Sequence, residues 1–323
     1  MNNSPAFSQC TVSAIHQAAE ALKAGHLVAF PTETVYGLGG DATNPDAIKR
    51  IYEVKGRPSD HPLIIHISSI NMLEKWAIDI PEYAISLARE FWPGPLTLIL
   101  KRSSLVGDFV SGNQDTVGLR VPSDPIALAL IAEFERLSGS AIAAPSANRF
   151  GQVSPTSSAD VQEEIGIHLS EFDLILDGGA SIIGIESTIV DCTSDIPRIL
   201  RSGFVTKKNI EEALSIDVSD DVIPSQVKFS GSFEKHYAPK CRVILGASEV
   251  NSSGFFAMSD IPTPPSMERL AAPNTVEEFA RVLYSTLRAA DQKGLMDLVV
   301  VQPEGEGLAL AINDRLLKAS KGR

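Results

Sequence analysis

Lys55 and Arg57 stand two residues apart around a glycine in KGRPSDHPLIIH, so in an extended loop both cations can face one anion. Phosphate is the natural guest of such a pair, although a solvated basic loop is the commoner reason for the pattern. Upstream, PTETVYGLG offers the hydroxyls of Thr32, Thr34 and Tyr36 beside the close backbone approach that Gly37 and Gly39 permit, which suits a small polar ligand. An ordinary glycine-rich turn accounts for it equally well. Downstream, APSANRFGQVSPT groups Ser146, Asn148, Ser154 and Thr156 around Gly151, with hydroxyls and free amides of the kind that cradle phosphate. IGIESTIVD sets Ser187 at the entrance of a strand, ILRSG sets Arg201 at the exit of one, and Arg120 closes TVGLRV. An arginine there can pair with a carboxylate in bidentate fashion, but is more often structural.

Other chemistries find no support in the sequence. GxxxxGK[ST] is absent, as is a GxGxxG turn after a strand, which disfavours a conventional P-loop or dinucleotide fold. No HExxH, GxSxG or supported Ser-His-Asp order appears, so no covalent nucleophile is implied. His66 in LIIHI reads as a hydrogen-bonded core imidazole, His61 as a surface side chain, and Trp92 in FWPGPLTL as packing. Cys10, Cys192 and Cys241 are far apart without a CxxC pair, so neither disulfides nor a cysteine zinc site are expected.

The elements that must position these residues follow from periodicity. Val12, Ile15, Ala18, Ala19 and Leu22 share one helical face that ends at Gly25. LVAF (27–30) is a buried strand, 31–40 a loop, and Asn44-Pro45 an N-cap and first-turn proline opening a short helix. Strands follow at 63–67, 96–100, 116–121, 141–144, 174–177, 187–191 and 198–200, alternating with helices near 70–77, 82–91, 125–136 and 158–165. The fold class is α/β, and the polar clusters fall in loops after strands, where open α/β sheets place their ligand crevice. Residues 1–213 form the first domain and 214–240 a linker without sustained period. Residues 241–323 form a small second α/β unit with strands at 242–246, 254–259 and 297–301 and helices near 275–290 and 309–319.

The 323 residues are 44% hydrophobic and carry a formal charge of −12. Residues 1–213 hold 16 Lys and Arg against 26 Asp and Glu, net −10, and residues 214–323 hold 12 against 14, net −2. A nonspecific grip on a nucleic-acid backbone needs a basic surplus, so basic residues clustered in the acidic first domain indicate a local pocket for a small anion. No run approaches the roughly 20 apolar residues that span a bilayer, and MNNSPAFSQC lacks the build of a signal peptide, so the expected location is the cytoplasm.

Taken together, AFPTETVYGLG, KGRPSDHPLIIHI, WPGPLT, VGLRVP, AAPSAN with SPT, GIESTIVD and ILRSG resemble, in order and spacing, the YrdC-like threonylcarbamoyl-AMP synthases over roughly residues 14–213. HYAP at 236–239, followed by a small α/β unit, is similar to the linker and C-terminal domain of the family's long form. Long-form linkers commonly read SPGMKYKHYAP; here FSGSFEKHYAP keeps Gly231, Lys235 and HYAP but has Ser230, Ser232 and Glu234 in place of proline, methionine and an aromatic residue.

The resemblance implies a YrdC-like twisted open sheet around a large, positively lined concave cavity, with a small Rossmann-like C-terminal domain. It implies that L-threonine, bicarbonate and ATP condense to threonylcarbamoyl-AMP and pyrophosphate, for the threonylcarbamoyl modification of tRNA adenosine completed by a separate transferase. Direct tRNA binding is not required. By resemblance Lys55 and Arg57 act at the reaction centre. Threonine is held by Thr34, His66, Arg120, Ala144 and Ser187, and ATP by Arg57, His61, Thr116, Ser146, Asn148, Ser154, Arg201 and Tyr237. Mg²⁺ is expected on the ATP phosphates, with no metal ligands from the protein, and the linker around His236 and Tyr237 is expected to close as a lid. Two rivals are a carbamoyl-transfer domain of the hydrogenase-maturation type, which would bring CxxC pairs and an acylphosphatase-like segment, and a non-catalytic RNA-binding module, which the net charge of the first domain opposes.

Overall fold

Asn44 and Asp124 each precede a proline, and both positions start a helix in the same way. The Asn44 side chain accepts from the Asp46 and Ala47 amides at 3.0 and 3.2 Å, and Asp124 from the Ile126 and Ala127 amides at 2.9 and 3.0 Å. These caps satisfy amides that helices Pro45–Lys55 and Pro125–Ser138 cannot, and the fixed proline φ suits the first turn. The first helix stops at Gly56, whose φ of 61° lies in the left-handed region that glycine adopts freely. The chain turns there and delivers Arg57.

The computed structural model describes residues 6–9, 11–218, 228, 229, 231, 236–247 and 250–322. Within them an eleven-stranded mixed sheet runs in the order Ala6–Gln9, Leu174–Asp177, Val28–Phe30, Gly37–Asp41, Ile142–Ala143, Ile64–His66, Thr116–Arg120, Leu96–Arg102, Thr188–Asp191 and Arg198–Arg201, with Ala77–Ile78 paired to Leu96–Arg102. Alternation sorts its side chains onto two faces. Val28, Phe30, Ile142 and Leu176 join the apolar cluster of helices Val12–Lys23 and Pro125–Ser138, whereas Ala29, Ala143 and Ile175 join the larger cluster that contains Ile48, Ile51 and Leu87.

Residues 31–40 divide into a loop and a strand, correcting the expectation of a loop throughout. Gly37–Asp41 pairs antiparallel with Val28–Phe30. Its glycines hide the strand pattern because the space a side chain would fill is taken: a Cβ at Gly39 would lie 2.7 Å from Ile142 Cγ2 and 2.9 Å from Phe30 Cε1. Other elements the sequence reading passed over are strands Ala6–Gln9, Ala77–Ile78 and Glu268–Ala271 and helix Lys207–Leu214.

The second sheet is wholly parallel, in the order Arg242–Leu245, Asp297–Val300, Gly254–Phe256 and Glu268–Ala271. With helices Val276–Gln292 and Leu308–Ser320 it forms the small α/β unit expected of residues 241–323. It docks closely on the first domain. Ile183 and Ile185 share an apolar cluster with Phe279, Leu283 and Tyr284, and Gly184, with φ 84°, lies so near helix Val276–Gln292 that a Cβ would sit 2.5 Å from Arg281 Cα. Of the linker at 214–240, residues 219–227, 230 and 232–235 are outside the described residues, and with them Ser230, Ser232, Glu234 and Lys235; so is Cys10. Cys192 and Cys241 are buried. Among the described residues no helix is long and apolar enough to cross a membrane.

Gly39→Ala should lower stability by about 1–3 kcal/mol through overpacking, read as a lower urea midpoint at unchanged slope. A wild-type midpoint would mean that Ile142 and Phe30 yield without cost.

Candidate active site

One end of the site grows from two neighbouring parallel strands, Ile64–His66 and Thr116–Arg120, in which His66 and Arg120 are register partners. Arg120 is buried and its donors are distributed: Nε to the Gly94 carbonyl at 3.3 Å, Nη1 to the Thr34 hydroxyl at 3.0 Å, and Nη2 at 2.6 Å from the Glu33 carboxylate. The chain of donation passes from Thr34 to Thr32 (2.8 Å) and on to the Val35 carbonyl (2.6 Å), which fixes the 31–36 loop against the arginine. His66 is neutral at physiological pH, since burial and then the Arg120 charge push its pKa down to about 3.

At the other end Arg57 and Arg201 approach the same cavity. Arg201 donates from Nε to the Ser187 carbonyl at 3.0 Å and from Nη2 to the Ser187 hydroxyl at 3.1 Å, while that hydroxyl also meets Thr97 Oγ1 at 2.8 Å. Arg57 donates to the Pro62 carbonyl at 3.0 Å. Burial pushes the Arg57 pKa down to about 10, and the charge of Arg201 also lowers it. Both guanidiniums remain charged at neutral pH. Two like charges held away from water favour an anion between them.

The cavity, partly open to solvent, is lined by Thr34, Arg57, His66, Arg120, Ala144, Ser146, Ser187, Arg201 and Tyr237 among others, which brings together most of the residues singled out in the sequence. Five others stand outside that lining. Lys55 is buried and its ammonium donates to the Ser146 and Asn148 carbonyls, both at 2.5 Å, so it braces the 144–148 loop from behind. Burial, with the Arg57 charge adding to it, holds that ammonium well below the usual lysine range. Asn148 braces the same loop through the Arg149 and Gln152 carbonyls at 2.8 and 2.9 Å and accepts from the Ser146 hydroxyl at 2.5 Å. Ser154 donates to Glu186 at 2.7 Å. Thr116 borders an adjacent hollow with Gln114 and Lys228. His61, expected at the surface, is instead buried, packing against Phe150 and lying 3.6 Å from Asp60. Trp92 donates to the Leu96 carbonyl at 2.7 Å within the core, in keeping with packing.

The linker closes one side. Tyr237 is fully buried with a φ of 60°, stacks on Tyr284 at 5.5 Å and meets His236 edge-on at 4.0 Å. Gly231 also lines the cavity, and a Cβ there would stand 2.8 Å from the Tyr237 hydroxyl. The Ala238 amide donates to the Gly151 carbonyl at 3.0 Å, tying the linker to the first domain. Burial pushes the His236 pKa down to about 3 although Glu186 is nearby.

Three contributors escaped the sequence reading: Glu33, Glu186 and the pair Tyr284 and Arg315. Glu33 and Glu186 stand inside the quoted segments, but their partners are distant, and Arg315 is 129 residues from Glu186. No local signal joins them. Among the described residues no group of three or more His, Cys, Asp or Glu is arranged to hold a metal ion.

The family profile described as telomere recombination, Sua5/YciO/YrdC, matches residues 20–203, and that described as threonylcarbamoyl-AMP synthase, C-terminal domain, matches residues 205–321. A threonylcarbamoyl-AMP synthase of Pyrococcus abyssi is 40% identical over 95% of this chain and 94% of its own length, and one of Bacillus subtilis is 37% identical over 96% and 93%. The crystal structure of Pyrococcus abyssi Sua5 complexed with L-threonine superposes with a TM-score of 0.86 at 38% identity, covering 99% of this chain and 98% of that one.

His66 and His236 are neutral when folded and gain protons on unfolding, so stability should fall as pH drops below about 6.5, by up to about 1.4 kcal/mol per pH unit for each. Urea unfolding between pH 7 and 5 should show that slope, and His66→Gln should roughly halve it. An unchanged slope would mean that His66 is already protonated in the folded protein.

Proposed function

This chain belongs to the threonylcarbamoyl-AMP synthase family, and we propose that it joins L-threonine, bicarbonate and ATP into threonylcarbamoyl-AMP with release of pyrophosphate. The observation that carries the mechanism is one cavity with Arg120, His66 and Thr34 at one end and Arg57 and Arg201 at the other. In this reading the Arg120 guanidinium receives the threonine carboxylate, taking up donors not committed to Thr34, Gly94 and Glu33. Thr34, Ser187 and neutral His66 surround the remainder of the amino acid.

The amine of threonine adds to the carbon of bicarbonate and water is lost to give the carbamate, the carbamate oxygen attacks the α-phosphorus of ATP, and pyrophosphate leaves with the electron pair of the broken P–O bond. This is a nucleotidyl transfer with no covalent enzyme intermediate. Catalysis then rests on holding two anions side by side and offsetting the charge that develops on the phosphates. Arg57 and Arg201 supply that offset, Ser146 presents its hydroxyl to the nucleotide, and Lys55 and Asn148 act from behind by setting the loop that carries Ser146. Mg²⁺ would arrive on the ATP phosphates, which suits a cavity wall whose carboxylate, Glu186, is already engaged by protein donors. Tyr237 and His236 would shield the hydrolysable product from water. The product suits a cytoplasmic tRNA modification in which a separate transferase completes threonylcarbamoyl transfer to adenosine.

The test is pyrophosphate release by the purified protein with Mg²⁺, ATP, threonine and bicarbonate, omitting each substrate in turn and seeking the adduct by mass spectrometry. Release that needs all three, with the adduct present, is the expected result. Folded protein that releases none would overturn the reading and favour an RNA-binding role. Arg57→Ala should lower kcat/KM by about 100-fold or more, roughly 3 kcal/mol, with an unchanged circular dichroism spectrum. Retained turnover in that variant would remove Arg57 from the site.

A further inference from the structure

Glu186 puts a buried carboxylate in the wall of a cavity that, on the reading above, receives a polyphosphate. Its Oε1 accepts from the Ser154 hydroxyl at 2.7 Å, and its Oε2 accepts from the Tyr284 hydroxyl at 2.8 Å and lies 3.3 Å from Arg315 Nε. Two of these three partners belong to the C-terminal domain. Ser154, Tyr284 and Arg315 are each no more than 1% exposed, so water does little to screen the cluster. The network continues outward: Arg315 Nη1 donates to Asp314 at 2.9 Å, and Lys318 donates to the same carboxylate oxygen at 2.9 Å and to the Gly231 carbonyl at 3.0 Å.

An interdomain staple alone does not require this arrangement. The apolar cluster of Ile183, Ile185, Phe279 and Leu283 already joins the domains, and well-packed apolar residues generally hold such a surface at least as firmly as buried ions. The placement of the charge says more. Glu186 and Arg201 attract one another across the cavity wall; once triphosphate engages Arg201, an uncompensated carboxylate beside the ligand would repel it. Arg315 is the cation that stays with Glu186, because its Nε and Nη1 face Glu186 and Asp314 and its ring-side neighbour is Tyr237, at 5.8 Å.

We propose that Arg315 is a positioning residue for nucleotide binding, through which the C-terminal domain neutralises Glu186 so that ATP phosphates can approach Arg57 and Arg201. The inference rests on the assignment of those two residues to the nucleotide. It gives the second domain a direct part in the affinity of a site whose lining lies mostly in the first.

The test is calorimetric titration of the full chain with Mg²⁺-ATP and, separately, with L-threonine, for wild type, Arg315→Met, Glu186→Gln and the double variant. Arg315→Met should weaken ATP by about tenfold or more while threonine affinity stays within about twofold, since only the former meets the exposed carboxylate. Adding Glu186→Gln should restore most of the loss, a rescue that a packing role for Arg315 would not show. ATP affinity unchanged in Arg315→Met, or a double variant as weak as the single one, would overturn the proposal. Should Arg315→Met fail to fold, Glu186→Gln alone decides: affinity for ATP equal to or above wild type supports the charge argument, and a tenfold loss overturns it. Wild-type protein that binds no ATP would instead remove the functional reading on which the inference rests.

Discussion

Guanidinium groups held out of water in one cavity set the terms for the rest of the molecule. Arg57, Arg120 and Arg201 all line the same space, and Arg120 and Arg201 are almost wholly buried. Burying a charge without a partner is costly, so each must be met by fixed dipoles or by a counter-charge. Arg120 is met by Glu33 and the hydroxyl chain of Thr34 and Thr32, Arg201 by both oxygens of Ser187, and Arg57 by the Pro62 carbonyl. These partners come from loops that are adjacent only because the strands beneath them are. Sheet order is therefore what makes the charge arrangement possible.

The same constraint explains why several polar residues face away from the cavity. A loop can present Ser146 to a ligand only if its backbone carbonyls are satisfied elsewhere, and Lys55 and Asn148 satisfy or organise them from the protein side. A lysine placed in this way acts on the ligand through the shape of the loop. Its neighbour two positions on, Arg57, enters the cavity because Gly56 turns the chain between them. The KGR triplet thus separates into a brace, a turn and a cavity-lining cation, positions that spacing alone does not distinguish.

How much of this was legible depended on whether the partner was local. Helix starts at Asn44-Pro45 and the apolar strands could be read directly, because caps and alternation act within a few residues. The strand Gly37–Asp41 could not, since its glycines answer to Phe30 and Ile142 across the sheet and carry no side-chain pattern of their own. The motifs marked the right loops, and most of the residues singled out in them line the cavity. Which side chain of a loop enters and which braces it depends on partners elsewhere in the chain: Ser154 turns to Glu186, and Glu186 to residues of another domain. A pattern of residue types does not encode such pairings, which here span 32, 98 and 129 positions.

The linker shows the consequence of that distance. A segment with few apolar residues cannot bury a core of its own, so its described parts take their position from what they touch. Tyr237 adopts a left-handed φ of 60°, a conformation unfavourable for a bulky side chain, and is held there between Tyr284, Arg315 and the first domain's cavity. Gly231 is reached by Lys318 from helix Leu308–Ser320. Residues on that one helix therefore address Gly231 and Tyr237 of the linker as well as Glu186, so a shift of the C-terminal domain would move the cavity's cover and its buried carboxylate together. The second domain is part of the site's construction, even though most of the residues that would touch substrate belong to the first.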